Sequence, residues 1–274
     1  MNVRNLLKNT NGQLRNGWWI AIFFFILSLF VSALIVLADL FRFQITTWHQ
    51  LVIIVLVSAI CQLIRRRTLL EITGTLDHQW MKDIMAGLVI GTGLMLLPAL
   101  ILTLLGLVEW KLNDPSIVIL IPSIINMLGF ALAEEFLFRG FIFQRLIDGL
   151  GKWPAQVLIG SLFLLTHLDN PGMNGTSMVI ASANIFAASI LFGITLIKTN
   201  RLAMPIALHS MANIVQGQIL GFSVSGNQHA SLFTPIFKSD IVWLTGGNFG
   251  LEASAVGLLT ILAISVWCGR NRNA

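Results

Sequence analysis

Eight apolar stretches, each long enough or nearly long enough to cross a bilayer as a helix, dominate the sequence: 18–38, 48–64, 84–108, 117–148, 153–168, 178–197, 202–220 and 249–268. A hydrocarbon core of about 30 Å takes about 20 residues of α-helix, and helices satisfy every backbone N–H and C=O within the segment, as lipid demands. Of the 274 residues, 56% are hydrophobic and 11% charged. A soluble domain carries about 25% charge, so a surface this poor in charge is not one that faces water. The chain reads as an all-α polytopic membrane protein, with about eight transmembrane helices around a central polar cavity, forming a single integral membrane domain over 1–274. Disorder, a coiled coil, a disulfide-stapled secreted fold and an ordinary cytosolic enzyme are excluded. Cys61 and Cys268 sit inside apolar runs and read as small buried hydrophobes.

Charge then gives an orientation. The net charge of +5 is read as topology rather than as affinity for nucleic acid. With the amino end in the cytoplasm, that side holds Arg4, Lys8, Arg15, Arg65, Arg66, Arg67, Lys82, Lys152, Lys198, Arg201, Arg270 and Arg272, twelve cations against three at Arg42, Lys111 and Lys238. Arg139 and Arg145 stay unassigned. The positive-inside bias places both termini in the cytoplasm. The first apolar run is as long as a full span and reads as a span, not as a cleavable leader. Tryptophans 18, 19, 48, 80, 110, 153 and 267 fall near expected helix ends, where an indole prefers the headgroup region. Gly87 and Gly91 form a GxxxG pair and read as close helix packing. Residues 68–83 read as an interfacial connection and 221–248 as a long external loop.

Ionisable residues within the membrane are costly and mark a pathway or a site. Three clusters stand out: Glu134-Glu135-x-x-x-Arg139, Phe163-x-x-x-His167 and His209-x-x-x-Asn213. Residues four apart share a helix face, so Glu135 pairs with Arg139, and His209 and Asn213 point the same way. Glu134, rotated by about 100°, is left for another task. If 149–151 turns a hairpin between the fourth and fifth stretches, Glu134 and His167 both stand about 24 to 26 Å from the turn and are level; from a second turn near Asn200, His209 and Asn213 lie about 14 and 20 Å along the seventh stretch and approach that level if the turn lies deeper or the helices tilt. Asn126 and Asn184 read as interhelical hydrogen-bonding residues, and His49, His78 and His229 as ordinary exposed histidines.

A carboxylate and an imidazole sharing one water make a general base for hydrolysis. His209 and Asn213 offer two donors for the oxygen that turns negative as water attacks a carbonyl. No serine or cysteine elbow is present to act as a covalent nucleophile. A zinc site from Glu134, His167 and His209 is the competing reading, but no His-Glu-x-x-His helix is present, and the spare Asn and Arg suit a metal-free mechanism better.

On these three motifs the sequence resembles the CAAX protease and bacteriocin-processing family, the Abi family of intramembrane glutamic proteases. The resemblance covers about 80 residues, within a catalytic core of approximately 117–220. It implies that Glu134 and His167 activate water, that His209 and Asn213 stabilise the oxyanion, and that Glu135 and Arg139 support them. It further implies hydrolysis, without a cofactor, of a peptide bond in a membrane-associated peptide or protein, in some members a prenylated tail, in a prokaryotic plasma membrane. Two other readings use the same residues: a non-catalytic membrane binding or immunity protein of the same fold, and a proton-coupled transporter. The first half of the chain lacks a matching polar constellation, which speaks against the transporter.

Overall fold

The computed structural model describes residues 6–10 and 12–270. Arg4 and Arg272 of the charge count lie outside the described residues. Each of the eight apolar stretches is a helix: α1 (Asn16–Phe41), α2 (Thr47–Ile64), α3 (His78–Leu104), α4 (Ile117–Leu150), α5 (Lys152–Leu165), α6 (Gly175–Thr199), α7 (Ala203–Ile214) and α8 (Ala255–Arg270). By length and composition α1, α2, α3, α4 and α6 can cross a membrane, whereas α5, α7 and α8 have only 14, 12 and 16 residues. The all-α membrane architecture therefore stands, with five helices among the described residues long and apolar enough to cross a membrane. A small ribbon, absent from the sequence reading, joins β1 (Val108–Leu112) to β2 (Phe233–Phe237) antiparallel, with Trp110 opposite Pro235.

Local chemistry sets the helix ends. Asp77 accepts the Trp80 N–H at 2.9 Å and caps the first turn of α3. Gly151 turns the α4–α5 hairpin at φ +86°, a left-handed conformation that glycine adopts at little cost. Asn200 turns α6 into α7 in the left-handed helical region, at φ 53° and ψ 29°, its N–H donating to Leu196 O at 2.7 Å. Both turns fall where the sequence suggested. The fourth stretch, readable as one tilted helix or as a span plus an amphipathic helix, is the second: α-helical to Glu135, π-helical over Phe136–Phe141 with Gly140 outside helical φ/ψ, then amphipathic over Ile142–Leu150.

The outer surface is apolar. On α1, Phe24, Phe25, Leu29, Leu40 and Phe41 are exposed, and Phe23, its sole buried residue, stacks on Phe141 with centroids 5.5 Å apart. Inside, α3 lies flush against α7 through Gly87 and Gly91. A methyl on Gly87 would sit 2.5 Å from Met204 O, and one on Gly91 would run into the carbonyl oxygen of Leu208. Both obstacles are backbone, so the helices would have to part. Gly91→Ala is expected to cost about 1–3 kcal/mol, as overpacking does. It should lower the thermal unfolding midpoint in detergent, and an unchanged midpoint would contradict the packing described here.

Candidate active site

The carboxyl-terminal turn of the first part of α4 carries Glu134 and Glu135 to opposite duties. Glu135 is fully buried. Its Oε1 accepts from Arg139 Nη1 at 3.2 Å and from His209 Nδ1 at 2.8 Å. Glu134, one residue earlier and with 30% of its side chain exposed, faces a cavity and stands 3.6 Å from His209 Nε2. Arg139, also fully buried, donates from Nη2 to the Ser189 hydroxyl at 2.7 Å and carbonyl at 3.3 Å on α6, and its guanidinium lies over the rings of Phe163 and Phe192. With the Phe138 ring also within 5.8 Å, three aromatic rings and one carboxylate keep the guanidinium inside a low-dielectric interior.

Both motif helices become π-helical directly after their polar residues, α4 at Phe136 and α7 at Val215. Such widened turns often mark functional sites, because they re-aim side chains that regular helix geometry would stack.

His167 lies in the turn that follows α5, which ends at Leu165, short of the stretch read from the sequence. Its Nδ1 is 2.7 Å from Phe163 O. A carbonyl only accepts, so Nδ1 carries the proton and Nε2 is left as the free nitrogen. His209 is fixed in the same sense by Glu135 and stacks on Phe192 at 4.7 Å and 17°. Asn213 lies four residues further along α7, partly buried.

Glu134, His167, His209 and Asn213 line one cavity of about 560 Å³. Its wall includes neither lysine nor arginine. No trio of His, Cys, Asp or Glu side chains among the described residues is arranged to hold a metal ion. Asn126 accepts from Thr47 at 2.9 Å and bridges α4 to α2, as expected. Asn184, expected to bridge helices, lines the cavity instead, buried on α6.

The segment between α7 and α8 departs furthest from its sequence reading as an external loop. It folds back over the bundle and supplies Ser225, Asn227, Gln228, His229 and Glu252 to the cavity wall. Glu252 is held by the Ser225 N–H at 2.6 Å and the Ser225 hydroxyl at 3.1 Å. His229, read as an exposed histidine, is half-buried here, and burial pushes its imidazole below the usual value, which keeps it neutral. Nothing in the sequence separates these residues from a solvated polar loop; only the close backbone approaches at Gly226 and Gly250, where φ is positive, hint that the segment is packed.

Residues 116–215 match the family described as Rce1-like, type II CAAX prenyl endopeptidase. The matched region holds Glu134, Glu135, Arg139, His167, His209 and Asn213, and ends before the segment that closes the cavity. No curated protein matches the chain.

Proposed function

We propose that the chain, whose residues 116–215 match the Rce1-like family of type II CAAX prenyl endopeptidases, is an intramembrane endopeptidase using Glu134 and His167 to activate water, without a metal. The observation that carries this reading is the shared cavity: a carboxylate, two imidazoles and a carboxamide from α4, the α5 turn and α7 line one cavity inside an apolar bundle. Independent structural polars have no reason to converge there.

The geometry suggests the division of labour. His167, with Nδ1–H tied to Phe163 O, turns a lone pair on Nε2 toward a water that Glu134 also accepts from. As that water attacks the scissile carbonyl, Glu134 takes its proton and later passes it to the departing amine. His209 needs a proton on each nitrogen to donate to the nascent oxyanion while still donating to Glu135. The resulting imidazolium stands between Glu134 and Glu135, which makes Glu135 a positioning and charge-balancing residue as well as the partner of Arg139. Asn213 supplies the second donor.

The substrate proposed is a peptide tail held at the membrane by a prenyl group. Purified protein in lipid should cleave prenylated CAAX peptides, read as new fragments by mass spectrometry, and retain this turnover in chelator. Absence of any cleavage by folded wild-type protein would overturn the protease reading; chelator inhibition reversed by zinc would overturn its metal-free form. Asn213→Ala is expected to lower kcat by about 10²–10³-fold with KM little changed, the loss typical of one oxyanion donor. A change confined to KM would instead assign Asn213 to substrate binding.

A further inference from the structure

A second cleft, of about 1170 Å³, opens at one end of the bundle, where the start of α1, the end of α2 and the end of α4 meet. Five arginines line it, Arg15, Arg65, Arg66, Arg67 and Arg145, against two carboxylates, Glu71 and Asp148. Glu71 is shared by three of them: Arg145 at 3.0 Å, Arg65 at 3.4 Å and Arg67 at 3.8 Å. Asp148 serves Arg145 alone, at 3.0 Å.

Topology alone asks only that cations lie on one side of the membrane; it does not ask them to be packed inward. Here two are. Arg145 is buried, with an Nε–H that finds no partner. The Arg65 side chain is 13% exposed and its guanidinium lies near the rings of Trp19 and Phe141. Like charges held this close and partly out of water call for more negative charge than one shared carboxylate provides. The cleft wall also changes character along α1, from Arg15 before its start, past Trp18 and Trp19, to Ile20 and Ala21 within the span. A soluble anion has no use for that apolar wall; an amphiphile does.

We propose that this cleft binds the phosphate-bearing headgroup of an anionic phospholipid, with Arg15, Arg66 and Arg67 meeting the phosphate and the acyl chains running along α1. The site is separate from the cavity proposed for catalysis and does not depend on that reading. Basic pockets at the ends of transmembrane helices favour such headgroups by about 1 kcal/mol per cation, or about fivefold in affinity.

The test titrates the purified full chain in detergent with phosphatidylglycerol, with phosphatidylcholine of the same acyl chains, and with inorganic phosphate, reading the thermal unfolding midpoint. Phosphatidylglycerol should raise the midpoint in a saturable manner and the other two should not. Arg66→Gln/Arg67→Gln, which alters exposed side chains, should weaken the apparent affinity about 25-fold, and Arg15→Gln, on another element, about fivefold. Arg42→Gln, remote from the cleft, should leave it unchanged. Equal shifts with phosphatidylcholine, a matching shift with inorganic phosphate, or wild-type affinity in both cleft variants would each overturn the proposal.

Discussion

Glu134→Gln is expected to abolish peptide cleavage, with kcat falling by about 10²–10⁴-fold while the unfolding midpoint stays close to wild type. The reasoning is geometric. Glu134 is the partly exposed member of the acidic pair, it faces the cavity, and its 3.6 Å contact with His209 is the longer of that ring's two carboxylate contacts. Glutamine preserves its size and can still accept from His209 Nε2, so the variant removes the proton-accepting function together with one negative charge beside the His209 ring. Glu135→Gln is the informative contrast: Glu135 is fully buried behind the cavity wall, yet the substitution removes the charge that orients His209 and balances Arg139. That variant should lose stability together with activity. Wild-type turnover by Glu134→Gln, measured as product per unit of folded protein, would remove the proposed base.

Arg139→Met is expected to cost about 3–5 kcal/mol, because it strands the fully buried Glu135 without its cation and leaves Ser189 without its donor. The double variant Glu135→Gln/Arg139→Met should recover much of that loss, since no net charge then remains in the interior. Thermal or denaturant unfolding in detergent reads both. A single variant as stable as wild type, or a double variant no better than the single, would show that the pair does not work as a buried ion pair.

The parts of this molecule that were legible in its sequence are those with a steep energetic penalty for being otherwise. Apolar runs of span length have one comfortable environment, and all eight became helices. The turns at Gly151 and Asn200 were legible because few residues adopt positive φ. Glu135 and Arg139 were found by spacing, and their 3.2 Å contact follows from helix geometry. What was hidden depends on tertiary context. Helix α5 stops at Leu165 ahead of a polar turn, α7 gives way to a π-helical turn at Val215, and α8 begins only at Ala255, after the glycine-containing turns at 246–253, so hydropathy overstated the regular α-helix in each window. The second hydrogen bond of Glu135, to His209 on α7, joins residues 74 apart and has no local signature. The β1–β2 ribbon pairs two five-residue segments too short for a clear alternation. The polar residues 225–229 read as loop because polar loops usually face water; the positive-φ glycines that press them onto the bundle were the sole local sign.

That folded-back segment divides the cavity between two authorships. The side chains proposed to perform hydrolysis come from α4, the α5 turn and α7, whereas much of the polar lining opposite them comes from residues 224–229 and 252, beyond the stretch shared with the prenyl endopeptidases. An exchange of this lid-like wall for that of another sequence therefore alters the mould into which a tail must fit and leaves the chemistry's own residues in register, so selectivity and turnover can drift apart in evolution or be separated by hand.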